Sequence, residues 1–117
     1  MPVPINIQLH KKSRILEIEF EDNVRAQLPC EYLRVYSPSA AVRGHGEGEG
    51  VLQIGKEEVG IQDIQPIGHY AIQLIFDDGH DTGFYTWDYL YSLSTEYEQK
   101  WQAYLDRLVA AGHTRKI

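Results

Sequence analysis

The chain has 117 residues, one cysteine and a formal net charge of -6, because Lys+Arg 11 stand against Asp+Glu 17. This length fits one domain, residues 1–117, with a core of its own, and one cysteine excludes a scaffold built on intrachain disulfides. The acidic balance argues against nucleic-acid binding, which needs clustered Lys and Arg. No segment has the pattern of a signal peptide or membrane span, so we expect no membrane association and a cytoplasmic location.

Three short segments before Pro29 alternate apolar with polar residues, the pattern of half-buried β-strands. Their apolar positions predict one inward face each: Val3, Ile5, Ile7 and Leu9, then Leu16, Ile18 and Phe20, then Val24, Ala26 and Leu28. Pro4 suits an edge strand, and the second strand has an acidic outer face. Proline is favoured at the start of a helix, so Pro29 predicts a short helix over Cys30 to Tyr36.

The segment from Ser37 to Gly55 holds five of the ten glycines, which predicts a mobile loop because each glycine adds backbone entropy. Beyond it, Val59, Ile61 and Ile64 break strict alternation by one residue. This spacing predicts a strand with a bulge before Pro66.

Asp78-Gly79 is a leading sequence for a two-residue hairpin turn. A turn there pairs Ile72 with Tyr85 and sets Asp77 directly opposite His80. One face of this hairpin is apolar and is predicted to lie in the core: Tyr70, Ile72, Leu74, Phe76, Gly83, Tyr85 and Trp87. His80 is then predicted to point away from the aromatic core, toward a polar surface.

The chain is predicted to end in two helices. Thr86 is a candidate cap for a helix up to Leu93, and Thr95 with Glu98 forms a capping-box pattern that opens a helix over about 95–111. The second helix has one apolar face: Tyr97, Trp101, Tyr104, Leu105, Leu108 and Val109. Gly112 is a plausible end of that helix. The fold class is therefore α+β, with a small, mainly antiparallel sheet of hairpins, a short middle helix and C-terminal helices.

His80 is the best candidate for chemistry. A carboxylate at Asp77 would orient the imidazole ring for metal ligation or for general-base work. The same pair at an exposed turn is more often a solvated contact of under about 1 kcal/mol.

The glycine-rich stretch from Arg43 to Gly50 lacks the spacing and the lysine of a phosphate-binding loop, and its glutamates would repel a pyrophosphate. His45-Gly46-Glu47 matches the first half of a two-His-one-carboxylate iron site, although a glycine-rich loop supports such a site poorly. Cys30, near a helix N-terminus, is either a reactive thiol or a structural one. No serine has an obvious catalytic base.

Three segments in combination resemble the gamma-butyrobetaine hydroxylase-like N-terminal domain family, over about residues 5–93. They are Leu28 to Ala40 (LPCEYLRVYSPSA), Gly44-His45-Gly46, and Phe76 to Gly83 (FDDGHDTG) leading into YTWDYL. The resemblance implies an α+β accessory domain that occurs alone, beside the catalytic domain of carnitine-pathway dioxygenases, and on some Mrp-type iron-sulfur carriers. The dioxygenase activity belongs to a jelly-roll domain that this chain lacks.

In those dioxygenases the domain holds a structural zinc through three cysteines and one histidine. His80 matches the histidine, whereas the cysteine positions correspond to Ser37, Ser39 and Val42. Hydroxyl and alkyl groups cannot replace thiolates on zinc, and one cysteine cannot hold an iron-sulfur cluster. A weaker site for zinc or iron would have to combine His80 with nearby polar groups, namely His45, Asp77 and Asp81.

We therefore predict a non-catalytic accessory module that contacts a partner protein through the polar patch around His80 and the Gly44–Gly50 loop. The resemblance suggests a partner that handles iron or iron-sulfur clusters. The alternative is a metal-dependent activity centred on His80 and His45. A third reading is a fold whose polar loop is merely solvated.

Overall fold

A computed structural model describes residues 2–43 and 50–115. Within these ranges the chain forms six strands and four helices: β1 (Pro4–His10), β2 (Ile15–Phe20), β3 (Arg25–Pro29), α1 (Cys30–Val35), α2 (Ala40–Arg43), β4 (Ile61–Ile67), β5 (Ala71–Phe76), β6 (Gly83–Thr86), α3 (Trp87–Thr95) and α4 (Tyr97–Ala110). The predicted α+β class is confirmed. The strands divide into two antiparallel three-stranded sheets, ordered β1-β2-β3 and β4-β5-β6.

The first sheet is the predicted pair of hairpins. The inward residues of β2 (Leu16, Ile18 and Phe20) have no exposed surface, as their alternation with glutamates predicts. The inward placement of Val3 and Ile5 is wrong, because they are 40% and 63% exposed. The register of β1 against β2 shifts by one residue between Pro4 and Asn6, and a one-residue shift turns side chains to the other face.

The second sheet begins with the predicted bulged strand. The register of β4 against β5 shifts between Ile61 and Asp63. Farther along β4, Pro66 pairs with Ile72 of β5. Since β4 is an edge strand of its sheet, the proline there disturbs no second neighbour.

The predicted pairing of β5 with β6 is confirmed, since Ile72 lies opposite Tyr85 and Leu74 opposite Gly83. The predicted two-residue turn is wrong. The N–H of Gly79 donates to the carbonyl of Phe76 (3.3 Å), and the N–H of Phe76 donates to the carbonyl of His80 (3.0 Å). The loop therefore contains three residues, Asp77 to Gly79, and Gly79 takes the positive φ of +89° that such a loop requires.

Asp77 consequently does not face His80. Its N–H donates to the carbonyl of Gly60 (2.9 Å), and its Oδ1 accepts from the N–H of Gly60 (3.0 Å). The carboxylate of Asp77 thus fastens the hairpin tip to the start of β4, and the predicted Asp77–His80 contact is absent from the described hydrogen bonds.

The main core joins both sheets to α1 and α3. Its members are the buried apolar residues Leu16, Ile18, Phe20, Leu28, Cys30, Tyr32, Leu33, Val59, Ile61, Ile72, Leu74, Phe76, Tyr85, Leu90 and Leu93. Tyr70 does not join them, against prediction: it is 60% exposed, and Trp87 is only partly buried. Both residues lie at the open end of the hairpin, where the N–H of Trp87 donates to the carbonyl of Tyr70 (3.1 Å).

The C-terminal helices follow the prediction with two corrections. Thr86 caps α3 by accepting from the N–H of Tyr89, and Gly112 takes a φ of +78° just beyond α4. Thr95 does not cap α4, because it ends α3 and its hydroxyl donates to the carbonyl of Tyr91 (3.0 Å). Val109 is 75% exposed, so the buried face of α4 is narrower than predicted.

The prediction of a mobile loop over Ser37 to Gly55 falls partly on residues 44–49, which lie outside the described residues. In the described part of that segment, a short helix that the sequence did not predict, α2, follows Ser39. No helix among residues 2–43 and 50–115 is long and apolar enough to cross a bilayer.

Candidate functional site

The side chain of His80 is joined to Ser37. Nε2 of His80 lies 2.8 Å from Oγ of Ser37, and that oxygen also accepts from the N–H of Ser39 (3.3 Å). The hydroxyl of Ser39 is 2.6 Å from that of Thr82. These four residues form the Ser37–His80 cluster, which links the α1–α2 connection to the tip of the β5–β6 hairpin.

Two residues of the cluster, Ser37 and Ser39, are buried, whereas Thr82 is exposed. Ser37 has no exposed surface, and Ser39 is 8% exposed. The ring of His80 is half-buried, with its centroid 6.0 Å from that of the core residue Phe76. The ring of His80 is not on an open polar surface as predicted, because the longer turn brings it back against the α1–α2 connection, where it is half-buried.

Gly83 makes this close approach possible. A Cβ atom at position 83 would lie 2.5 Å from Oγ of Ser37 and 3.0 Å from the ring of Tyr85. The hydroxyl of Tyr85 is itself buried and donates to the carbonyl of Leu33 (2.6 Å), and burial raises the pKa of Tyr85. A side chain at position 83 would therefore push α1 and its following residues away from the hairpin.

An ion-pair network lies beside the cluster at the hairpin tip. Oδ2 of Asp78 accepts from Nε of Arg34 (2.9 Å) and from Nζ of Lys56 (2.7 Å), and Oδ1 accepts from the N–H of His80 (3.2 Å). Burial acts to raise the pKa of Asp78, but these hydrogen bonds outweigh it and lower the pKa to about 2. The side chain of Arg34 is only 9% exposed, so this carboxylate neutralises a largely buried charge.

Sequence reasoning missed Arg34, Lys56 and Asp78 as members of this site. Arg34 does stand in the first segment of the resemblance, LPCEYLRVYSPSA, and Asp78 in the third, FDDGHDTG. Neither spacing nor periodicity signals their pairing, because they are 44 residues apart. Lys56 carries no signal of any kind.

The electrostatics keep His80 neutral at neutral pH. Burial lowers the pKa of the imidazole, and the positive charge of Arg34 lowers it further, while Asp78 and Asp81 act in the opposite direction. A neutral imidazole beside a serine hydroxyl is the pairing found in serine hydrolases. Here the hydroxyl of Ser37 is fully buried, so a substrate does not reach it in this structure.

The donor set does not fit a metal ion. Zinc sites use thiolates, imidazoles and carboxylates, whereas Ser37 and Ser39 offer neutral hydroxyls. These hydroxyls are already hydrogen-bonded, that of Ser37 to His80 and that of Ser39 to Thr82. Val42 is a buried alkyl group. Across the described residues, no group of three or more His, Cys, Asp or Glu side chains is placed to hold an ion.

The other predicted ligands do not complete the set. Asp77 bonds to Gly60, and Asp81 is an exposed residue whose carbonyl accepts from Gln73 (2.7 Å). His45 lies outside the described residues. The weaker zinc or iron site predicted from His80, Asp77 and Asp81 is therefore not assembled by the described part of the chain.

Cys30 is a structural thiol. It begins α1, is 1% exposed and packs in the main core. Burial raises the pKa of this thiol to about 11, so it remains protonated at neutral pH and is a poor nucleophile.

A second feature is an apolar hollow on the outside of the molecule. We call it the Tyr70 surface, and its cavity of about 340 Å³ is lined by Pro2, Val3, Tyr70, Thr86, Trp87 and Asp88. Nε1 of Trp87 donates to the carbonyl of His69 (2.7 Å), which fixes the indole as one wall of the hollow. The bulge in β1 leaves Val3 exposed, and Tyr70, just before the start of β5, is exposed as well.

Comparisons with known proteins agree with the resemblance. The sequence model described as "Gamma-butyrobetaine hydroxylase-like, N-terminal" matches residues 7–91. A solved NMR structure is 50% identical, with a TM-score of 0.85 over 98% of this chain and 90% of the other. A second NMR structure is 49% identical, with a TM-score of 0.83 over 98% of this chain and 86% of the other.

A crystal structure from Acidithiobacillus ferrooxidans ATCC 23270 is also similar. It is a protein of unknown function of the DUF971 family, 38% identical, with a TM-score of 0.65 over 78% of this chain and 91% of the other. No curated protein matches the chain.

Proposed function

The chain belongs to the gamma-butyrobetaine hydroxylase-like N-terminal family, and from this premise we propose that it is a non-catalytic accessory module that binds a partner protein. The observation that carries the proposal is the Tyr70 surface. It places a 60%-exposed tyrosine and a 40%-exposed valine around one hollow, where solvent contact with apolar groups is unfavourable.

The composition of the Tyr70 surface is typical of a protein-binding site. Aromatic residues are enriched at interfaces because they bury a large apolar area with few rotatable bonds, and Tyr and Trp dominate binding hot spots. Tyr70 is free to be covered, while Trp87 is already held in place by its hydrogen bond to His69. A preorganised wall lowers the entropic cost of association.

The chemistry of the surface also selects its occupant. The carboxylate of Asp88 lies at the rim, Glu21 accepts from the N–H of Val3 (3.2 Å), and the whole chain has a net charge of -6. The occupant that fits is a partner protein that presents an apolar side chain flanked by Lys or Arg. Complementary charge of this kind accelerates encounter and suppresses acidic partners.

The hydrogen bonds within the Ser37–His80 cluster support a binding role over a catalytic one. Its hydroxyls and imidazole are engaged with each other, and Ser37 is inaccessible. A catalytic group must reach the reacting atoms of a substrate.

Two narrower expectations belong to this proposal. The first is that the partner handles iron or iron-sulfur clusters, and its support is the family resemblance alone. The second is a cytoplasmic location, which is supported by the single, buried thiol of Cys30 and by the lack of a bilayer-spanning helix in the described residues.

The experiment compares three tagged forms of the chain in affinity purification from cells: the native chain, Tyr70→Ser and Val109→Ser. Val109 is the matched control because it is a 75%-exposed apolar residue on α4. A protein retained by the native chain and by Val109→Ser, but lost from Tyr70→Ser, is then purified and titrated by calorimetry. We expect Tyr70→Ser to weaken that interaction about 30-fold or more, as loss of a hot spot does.

A stability control and two contrary outcomes complete the experiment. The melting temperatures of the three forms should agree, since both substitutions fall on exposed side chains. Retention of the same proteins by all three forms, or of none above a mock purification, would refute the proposal. A native dimer that Tyr70→Ser converts to a monomer would instead assign the surface to a second copy of the chain.

A further inference from the structure

A second cavity, of about 270 Å³, lies on the side of α4 that faces α1 and α2. It is lined by Tyr36, Arg43, Gln99, Lys100, Ala103 and Arg107. Lys100, Ala103 and Arg107 share one face of α4, because they follow the three- and four-residue spacing of a helix. Tyr36 is the C-cap that follows α1 and Arg43 is the last residue of α2, so the ends of two helices complete a wall begun by α4.

This cavity concentrates positive charge on an acidic protein. Arg43, Lys100 and Arg107 all line it, although the chain has a net charge of -6. Cζ of Arg43 lies 5.6 Å from the centroid of the Tyr36 ring, and Nζ of Lys100 lies 5.4 Å from the same centroid. Glu96 is 4.0 Å from Nζ of Lys100, the limit of an ion pair, so it offsets this charge only weakly.

The aromatic ring that both cations approach is held in place by two hydrogen bonds of Tyr36. The hydroxyl of Tyr36 donates to the carbonyl of Lys100 (2.6 Å), and its carbonyl accepts from the hydroxyl of Tyr89 (2.5 Å). Two cations held near one ring repel each other, and the ring compensates only part of this cost. An anion placed between the cations would remove the repulsion.

Arg43 also has unused hydrogen-bonding capacity. Its Nη2 donates to the carbonyl of Val35 (3.3 Å), whereas its Nε is buried and has no hydrogen-bond partner in the described part of the chain. A buried N–H without an acceptor is costly, and most such groups in proteins are paired. Because this nitrogen has almost no accessible surface, a ligand oxygen can pair with it only if the side chain of Arg43 turns toward the cavity.

We propose that the cavity formed by Tyr36, Arg43, Lys100 and Arg107 binds a small multivalent oxyanion, carrying phosphoryl or carboxylate groups. Guanidinium groups bind both kinds of group through paired N–H donors, and a lysine adds a point charge. The volume is just below the usual range for small-molecule sites, which favours a compact, highly charged ligand. This inference is independent of the Tyr70 surface.

The test titrates the native chain with inorganic pyrophosphate in one arm and with citrate in the other, at constant ionic strength. Backbone amide shifts are followed by NMR. We expect saturable shifts that include Tyr36, Arg43 and Lys100, with a Kd below about 1 mM for at least one anion. The arm that binds more tightly identifies phosphoryl or carboxylate groups as the preferred chemistry.

Lys100→Gln removes one charge from the cavity, and Lys11→Gln is its matched control, because Lys11 is exposed in the turn between β1 and β2. We expect Lys100→Gln to weaken binding about tenfold or more, and Lys11→Gln to change it less than about twofold. If Lys100→Gln lowers the melting temperature, Arg107→Gln replaces it. Absence of saturable shifts up to about 10 mM of both anions, or equal losses in both lysine variants, would overturn the proposal.

Discussion

Nε2 of His80 and Oγ of Ser37 lie 2.8 Å apart, although 43 residues separate them in the chain. Their contact joins the tip of the β5–β6 hairpin to the connection between α1 and α2. The resemblance implies zinc ligands at these two positions, whereas here two neutral groups form a hydrogen bond. The cross-link between the same two parts of the fold is therefore made without thiolates.

Removal of the Ser37 hydroxyl tests this cross-link. Ser37→Ala removes the hydroxyl that bonds to Nε2 of His80 and accepts from the N–H of Ser39. Both groups then lack a hydrogen-bond partner at a buried position. We expect the free energy of unfolding to fall by about 1 to 2 kcal/mol, measured by urea denaturation. Ser13→Ala, in the exposed turn after β1, is the control and should cost less than about 0.5 kcal/mol. Equal costs would show that the hydrogen bond contributes nothing.

His80 should make stability depend on pH in one direction. Burial and Arg34 lower its pKa in the folded chain below the ordinary value of 6.5, which the unfolded chain retains. As the pH falls below 6.5, the unfolded chain gains the proton first. The contribution of His80 to the free energy of unfolding should therefore decrease from neutral pH downward and stay constant below the folded pKa of His80.

The variant His80→Gln isolates this effect. It cannot titrate, so the difference between its stability and that of the native chain should shrink as the pH falls from about 7.5 to about 5. Urea denaturation at a series of pH values measures both chains. A difference that stays constant, or grows at acid pH, would contradict the lowered pKa.

Among the carboxylates of the hairpin tip, substitution of Asp78 should lower the free energy of unfolding most. Asp78→Asn leaves the largely buried guanidinium of Arg34 without its counter-charge, so we expect a loss of about 2 to 3 kcal/mol, less than for a fully buried pair because Asp78 is partly exposed. Asp81→Asn is the matched control, an exposed neighbour that should cost less than about 0.5 kcal/mol. Similar losses for the two variants, in chemical denaturation, would contradict this ranking.

The same carboxylate predicts a loss of stability in acid. The pKa of Asp78 is about 2 in the folded chain, below the ordinary 3.8, so its contribution is complete above 3.8 and disappears as the pH falls through 2. The native chain should lose more stability than Asp78→Asn over this interval, as measured by thermal denaturation at fixed ionic strength.

Chelation should leave the fold intact. Because the donors around His80 do not fit zinc or iron, we expect EDTA to change the melting temperature of the purified chain by less than about 1 °C, whereas removal of a structural zinc unfolds small domains. Elemental analysis of the same sample provides the second readout. A lower melting temperature with EDTA that zinc restores would show that a metal contributes to the fold.

Much of the secondary structure could be predicted from local patterns. Alternation identified β2 and β5, and it gave the correct pairing of Ile72 with Tyr85, which the three-residue loop leaves unchanged. The turn itself was wrong by one residue, since Gly79 serves equally well in a two-residue turn and in a three-residue loop with a bulge. Which face of a strand is apolar can be predicted from local alternation, but where a strand ends cannot. Tyr70, Val3 and Ile5 were therefore wrongly predicted to face the core.

The candidate site was less accessible to sequence reasoning. Spacing alone placed His80 opposite Asp77, and the structure places it against Ser37 instead. Only the resemblance connected these two positions. The pairing of Arg34 with Asp78 and Lys56 has no counterpart in any sequence pattern, because three separate segments must pack before the charges meet.

The sequence by itself determined the strands, the order of the hairpins and the end of α4 just before Gly112, because these depend on backbone preferences and on hydrogen bonds between near neighbours. The tertiary structure alone decided that His80 is hydrogen-bonded to Ser37, that Tyr70 faces outward and that Arg43, Lys100 and Arg107 line one cavity. These outcomes depend on how two sheets and four helices pack around a shared core. Residues more than 40 positions apart meet only when that packing is complete.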